Sequence, residues 1–347
     1  MNRRPWRGAL IGCGFFAANQ MHAWRSTPGV EIVALCDLEE KKARRMGDKF
    51  GVSGVYGDAY TMLRREKVDF VDIATTVASH CALVQLAAAH SNLVICQKPF
   101  SETLEDADAM IEACRNEQTL LLVHENFRWQ RPFLEIAARL ASGAIGPPQS
   151  LRLTFRHAYD IYHNQCYLAE AERLALMDVG SHLFDLARVL LGEVKSIDCR
   201  TQRLNPAVRG EDSFLASLQH THGAVSVIDC SFFDDSRTAL FPQTLAFLEG
   251  TQGSLELAAG YRLIERRGGS MNECQVEPAV PKWGSKPWHC IQDSVINFQR
   301  HAASVLKGDA EPQPSGAHNR STLAVVLAAY ASASQNQTIL LSEKAVA

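Results

Sequence analysis

In the first 125 residues, short apolar runs alternate with charged stretches of helical length, and this alternation constrains the fold more than any other feature. Ala9-Leu10-Ile11 leads into Gly12, residues 32–36 end at Asp37, and residues 70–74 end at Thr75-Thr76. Residues 93–96 end at Gln97-Lys98-Pro99, and residues 120–123 end near Glu125. Segments 38–50 and 102–117 have the length and charge of helices. Short buried strands alternating with helices imply a parallel sheet with right-handed crossovers. Such a sheet binds ligands at the carboxyl ends of its strands, which puts Gly12, Asp37, Thr75 and Lys98 along one edge.

After about residue 125 the rhythm changes. Residues 132–142 read as a helix, closed by Gly143 and the Gly146-Pro147-Pro148 turn, and 150–155 alternate as a strand. Residues 179–191 read as a helix, with Leu183, Leu186, Leu190 and Leu191 spaced for one buried face and Gly192 as the stop. Strands succeed it at 214–219, 225–232, 244–249, 254–257 and 261–266, and tight turns at 221–223 and 250–253 suggest a mostly antiparallel sheet. Helices near 291–306 and 318–334 close the chain, so the second domain is expected to be α+β.

At 347 residues, two domains are expected, divided as 1–124 and 125–347. The net charge of -3 leaves no basic footprint for nucleic acid, and no apolar run reaches the ~18 residues of a membrane span. The opening Met1-Asn2-Arg3-Arg4-Pro5-Trp6-Arg7 is basic, but the segment 8–14 after it is too short and Gly-rich for a signal-peptide core and reads as a first strand. Ten cysteines are scattered from Cys13 to Cys290 without a CxxC pair, so neither a zinc finger nor another metal site is expected, and reduced thiols in the cytoplasm are.

Gly12-Cys13-Gly14-Phe15-Phe16-Ala17 fits the GxGxxG/A turn between a strand and a helix. Gly12 permits the tight turn, Gly14 lets a pyrophosphate approach the backbone, and Ala17 allows close helix packing. The helix N-terminus then offers its free N–H groups to phosphate. Asp37, closing the next strand, can accept both hydroxyls of an adenosine ribose and repels a 2′-phosphate, which favours NAD over NADP. It can equally cap the helix that begins near Glu39-Glu40, and the two roles are compatible.

Lys98 lies between an apolar strand and Pro99, at the sheet edge where a nicotinamide belongs. Asp178 and His182 are four apart on one expected helix and share a face, away from the apolar stripe, which leaves His182 able to face a cleft. Oxidising an alcohol requires a base for the hydroxyl proton, and a carboxylate orients such an imidazole and favours its protonated form. A helix cap at Asp178 and a packed interfacial histidine at His182 explain the same pair without catalysis.

These residues, in this order and spacing, resemble the glucose–fructose oxidoreductase/inositol dehydrogenase/MocA family. The likeness continues through Asn126-Phe127-Arg128, residues 142–146, His182-Leu183-Phe184-Asp185 and Ala329-Tyr330-Ala331-Ser332-Ala333. The resemblance implies a Rossmann α/β domain plus an α+β domain with an open, mostly antiparallel sheet. That second domain binds substrate and assembles a homodimer or homotetramer. It implies catalysis by Lys98, Asp178 and His182. It also implies a cofactor site of Gly12, Gly14, Phe15, Phe16, Ala17, Asp37, Thr75, His80, Gln97, Lys98 and Arg128. Two departures stand out. The family's Glu-Lys-Pro is Gln97-Lys98-Pro99 here, which removes a charge beside the lysine, and its Thr-Pro is Thr75-Thr76. His80 serves either as a cofactor neighbour or as a helix-start residue.

Sugars are held by polar and aromatic groups at strand ends and loops, which points to Arg156, Tyr159 and His289, with Tyr162, His163, Trp288 and Arg128 as further candidates. Surface or core duty explains each of these equally well. The expected activity is hydride transfer between NAD and a hydroxylated carbon of a sugar, polyol or sugar acid. The competing readings are an NAD-retaining hydrolase or isomerase of the same fold, and a non-catalytic NAD or sugar sensor.

Overall fold

Strands β1 (Trp6–Ile11), β2 (Val30–Cys36), β3 (Gly54–Tyr56), β4 (Phe70–Ile73), β5 (Leu93–Gln97) and β6 (Leu120–His124) form a six-stranded sheet in the order β3-β2-β1-β4-β5-β6. Every pairing in it is parallel. The computed structural model from which this architecture is read describes residues 4–163, 165–234 and 241–341, so the first three residues of the basic opening lie outside it. Helices cover both faces, so β4 and β5 are buried along their whole length. This is the doubly wound arrangement the alternating runs predict. Strand β3 is not foreseen by the sequence, because three residues carry no readable period.

This sheet belongs to a first compact unit, which runs to Asn126 and takes in Ser294–Leu323. The returning segment covers the β6 edge: Val123 N–H donates to the Pro314 carbonyl at 3.0 Å, and Leu122 bridges Ser315. Asn126 Nδ2 donates to Ser294 Oγ at 2.7 Å, and the Arg320 guanidinium clasps Asp108. Pairing an exposed strand edge in this way removes a template for aggregation.

Inside the unit, β4 carries a fully buried carboxylate, Asp72, which accepts from Gln20 Nε2 at 3.0 Å and Trp24 Nε1 at 2.7 Å. Both donors stand on the helix Ala17–Arg25. Burial pushes the Asp72 carboxyl up to about 7. Raised above its unfolded value of ~3.9, such a group stabilises the fold below about pH 4 and loses that contribution as pH climbs through 7. Asp72→Asn should therefore gain stability over the wild type between pH 5 and pH 8.5, on the order of 2–3 kcal/mol. Its amide can also donate to Gln20 Oε1, which is buried and has no hydrogen-bond partner among the described residues. Thermal midpoints at the two pH values check this, and a difference that does not change with pH would sink it.

The second unit holds Phe127–Asp293 and the residues from Ala324 on. Its strands are β7 (Pro148–Arg156), β8 (Val194–Gln202), β9 (Ser213–His220), β10 (Val225–Ser231), β11 (Leu245–Gly250), β12 (Gly253–Ala258), β13 (Arg262–Arg267), β14 (Ser270–Gln275) and β15 (Ile339–Leu340). Among the described residues they form one nine-stranded sheet, ordered β14-β13-β12-β11-β7-β10-β9-β8-β15. Only β7 and β10 pair in parallel, so the sheet is mostly antiparallel as expected. Helix Ser181–Leu191 packs on β7 and β10. Opposite this packed face, β9 and β10 turn Leu215, Val225 and Val227 outward.

Two expectations about this helix are corrected. It begins at Ser181, preceded by a π-helical turn, Leu176–Gly180, so Asp178 and His182 do not lie on one regular α-helix. Nor is its polar face open: Ser181, His182, Asp185 and Arg188 are buried along with the leucines opposite them.

Candidate functional site

In the first unit, the turn after β1 is built around Gly12. Its φ is +94°, and a Cβ there would lie 2.6 Å from the Ala74 carbonyl oxygen, so conformation and space both demand glycine. A Cβ on Gly14 would meet nothing within 4 Å, so the protein's own packing does not require glycine there. The open space there would admit a pyrophosphate against the backbone. Cys13 N–H donates to Asp37 Oδ2 and Glu39 N–H to Asp37 Oδ1, both at 2.8 Å. The carboxylate that closes β2 is thus fixed beside the turn, and each oxygen keeps a further lone pair for a ribose hydroxyl. Ala17 is buried at the start of its helix, Phe16 caps that helix without a side-chain hydrogen bond, and Phe15 is exposed. The first-turn N–H groups can therefore serve phosphate.

Further along the carboxyl ends of the same strands, Thr75 Oγ1 accepts from Ser79 Oγ at 2.8 Å. His80 opens the helix His80–Ala88 and is fully buried. Its two ring nitrogens lie 3.2 Å from the Phe100 and Thr75 carbonyls, and burial pushes its pKa down. The neutral imidazole has one N–H, so it donates to one of these two carbonyls, the tautomer deciding which. Gln97 Oε1 accepts from Lys98 N–H at 2.8 Å, while its buried Nε2 has no hydrogen-bond partner among the described residues. An unsatisfied donor at that depth is costly, and a nicotinamide ribose hydroxyl would satisfy it. Lys98 beside it is half-buried. The open space at Gly14 and the orphaned Gln97 amide both fit a dinucleotide.

In the second unit, His182 is 3% exposed and lies flat on Phe127, with ring centroids 3.8 Å apart and planes 1° from parallel. It is therefore a packed, oriented imidazole and not one on an open helix face. Asp178 is half-buried, and its charge reaches His157 and Tyr162. Arg128, expected among the cofactor contacts, is buried with its Nε 2.8 Å from Asp185 Oδ2 and a second guanidinium nitrogen on Oδ1. That carboxylate occupies its fork. Arg156 is held by Asp229 at 2.7 Å and Asp234 at 3.2 Å. Tyr159 stands edge-on to Phe241, which stands edge-on to Trp288, a half-exposed aromatic wall. His289 is buried with Nε2 3.0 Å from Glu277, too poorly aligned for a hydrogen bond. The buried Tyr162 hydroxyl has no hydrogen-bond partner among the described residues, and burial pushes it up to about 12. His163 is exposed.

Sequence reasoning missed His157. It lies just past β7, is buried against Phe155 and Phe232, accepts Tyr159 N–H on Nδ1 at 3.1 Å, and is pushed down to about 4 by burial. It also missed Asp185 and Glu211 as anchors. Asp185 lies within a motif quoted for the family resemblance, which was the available signal.

Among the described residues no helix is long and apolar enough to cross a membrane, and no cluster of three or more metal-ligating side chains occurs. Residues 6–125 match the model of the oxidoreductase family with an NAD-binding Rossmann fold, and 133–256 match the GFO/IDH/MocA C-terminal domain. The chain is 47% identical over 339 residues to a D-apiose dehydrogenase of Rhizobium rhizogenes, covering 98% of each protein. It is equally identical to one of Paraburkholderia graminis, covering 97% of this chain and 90% of that one. A crystal structure of an oxidoreductase from Agrobacterium radiobacter, in complex with NAD+, L-tartaric acid and magnesium, superposes with a TM-score of 0.94. Identity there is 46%, over 96% of this chain and 98% of the other. The dinucleotide turn, the second-unit sheet and these full-length likenesses agree: the chain belongs to the GFO/IDH/MocA family and is an NAD-dependent oxidoreductase.

Proposed function

We propose that the protein is a sugar dehydrogenase, with D-apiose the first substrate to test and its lactone the product. The observation that carries this reading is the near-full-length likeness to two relatives that bear the name D-apiose dehydrogenase. NAD, when bound, supplies the hydride acceptor. The carbon loses a hydride and its hydroxyl loses a proton, leaving a carbonyl. His182 takes that proton, its ring plane set by Phe127. Asp178 favours the imidazolium that results. The Lys98 ammonium hydrogen-bonds the reacting oxygen and stabilises developing alkoxide. Gln97 and Asp37 hold the two riboses. Arg156, Tyr159 and His289 contact the sugar. The test is a panel of sugars, polyols and sugar acids, D-apiose included, monitored by NADH absorbance at alkaline pH. Purified protein carrying stoichiometric NAD and forming product without net NADH would overturn it in favour of an NAD-retaining hydrolase or isomerase.

Because Asp37 fills the place of a 2′-phosphate, NADP should bind at least about tenfold more weakly than NAD, ~1.4 kcal/mol. Titration of both cofactors checks this, and equal affinities would refute it. The outward Leu215, Val225 and Val227, exposed by 53%, 48% and 36%, need cover, so the protein should form a homodimer or homotetramer. Light scattering that gives one 38.3 kDa particle at micromolar concentration would rule this out. The scattered, unpaired-spacing cysteines favour the cytoplasm; recovery in a secreted fraction would contradict that.

A further inference from the structure

The Ala329-Tyr330-Ala331-Ser332-Ala333 stretch has no part in the chemistry above, yet its tyrosine reaches a carboxylate that holds the π-turn. Tyr330 Oη donates to Glu211 Oε1 at 2.7 Å. The same oxygen accepts Leu176 N–H at 3.0 Å, and the Glu211 carbonyl accepts Ala175 N–H at 2.9 Å. Just upstream, the Arg173 guanidinium lies over the Tyr330 ring, 5.2 Å from its centroid. Burial pushes the Tyr330 hydroxyl up, so it remains a donor. Residues 173–176 are thereby gripped from both sides at the point where the backbone enters the turn Leu176–Gly180. A π-turn has one residue more per hydrogen-bonded ring than an α-turn, and such single turns are rare and concentrate at functional sites.

We infer that Tyr330, acting through Glu211, is a positioning residue that holds this π-turn and so fixes where Asp178 presents its carboxylate. The inference rests on the proposed role of Asp178 at His182. If the grip on 173–176 loosens, Asp178 turns relative to the imidazole it supports.

The variants are Tyr330→Phe, Glu211→Ala and Glu211→Gln, in the full-length protein. Amide exchange of residues 175–178 should speed up at least about tenfold in Tyr330→Phe and Glu211→Ala. With D-apiose and NAD, kcat should fall roughly 10–100-fold, with a shifted acid limb in its pH profile. KM for NAD and the circular dichroism spectrum should not change. Glu211→Gln keeps an acceptor oxygen for both donors and should recover most of the loss. Unchanged exchange at 175–178 in folded Tyr330→Phe would overturn the clamp, as would faster exchange with kcat and its pH profile intact. Failure of Asp178→Asn to slow hydride transfer would instead sink the functional reading, and the exchange data would still decide the clamp.

Discussion

His182→Ala should fold, bind NAD as tightly as the wild type, and transfer hydride ~10²–10⁴ times more slowly, the usual contribution of a positioned base. The NAD-binding fold spans residues 6–125, and in the proposed reading the Gly12 turn and Asp37 hold the cofactor there, away from position 182. The stacked contact with Phe127 will also be lost, worth ~0.5–1.5 kcal/mol, so a lower melting temperature is expected and decides nothing by itself. Single-turnover hydride transfer on folded protein separates the two roles. Asp178→Asn should slow transfer less, because in the proposed mechanism it weakens the support of the imidazole without deleting it. Lys98→Met should also lose turnover, since in the proposed mechanism the ammonium stabilises developing alkoxide. A folded His182→Ala with near wild-type transfer would remove this histidine from the mechanism.

Arg128→Ala should destabilise the protein by ~3–5 kcal/mol, because it leaves the Asp185 carboxylate buried without its guanidinium. The side chains are 7% and 0% exposed, so water cannot take over the lost contact. Replacing both partners at once, Arg128→Met with Asp185→Leu, should cost much less, since no buried charge then remains. Denaturant midpoints of the single and double variants test the pair. NAD titration tests the expectation that Arg128 serves the cofactor. A weaker NAD affinity with unchanged stability would support that role and refute the structural one.

The parallel sheet, the dinucleotide turn and NAD as cofactor were legible along the chain, because each is encoded within a few neighbouring residues. An apolar run ending at Gly12, with a small Ala17 beyond, specifies its local backbone without knowledge of the rest. The antiparallel strands with a buried and an exposed face, such as β9, were legible from alternation. Strand β14 was not, since all six of its residues are exposed and carry no pattern. The return of residues 294–323 to cover β6 was not legible, because an edge finds its cover through backbone groups every residue has. The same holds for the π-turn at Asp178, whose holders Glu211 and Tyr330 stand 35 and more than 100 residues along the chain from Leu176. It holds too for Arg128, which finds Asp185 at a separation of 57 residues. A side chain's chemistry can be read in place, but its partner is chosen by packing that brings distant segments together.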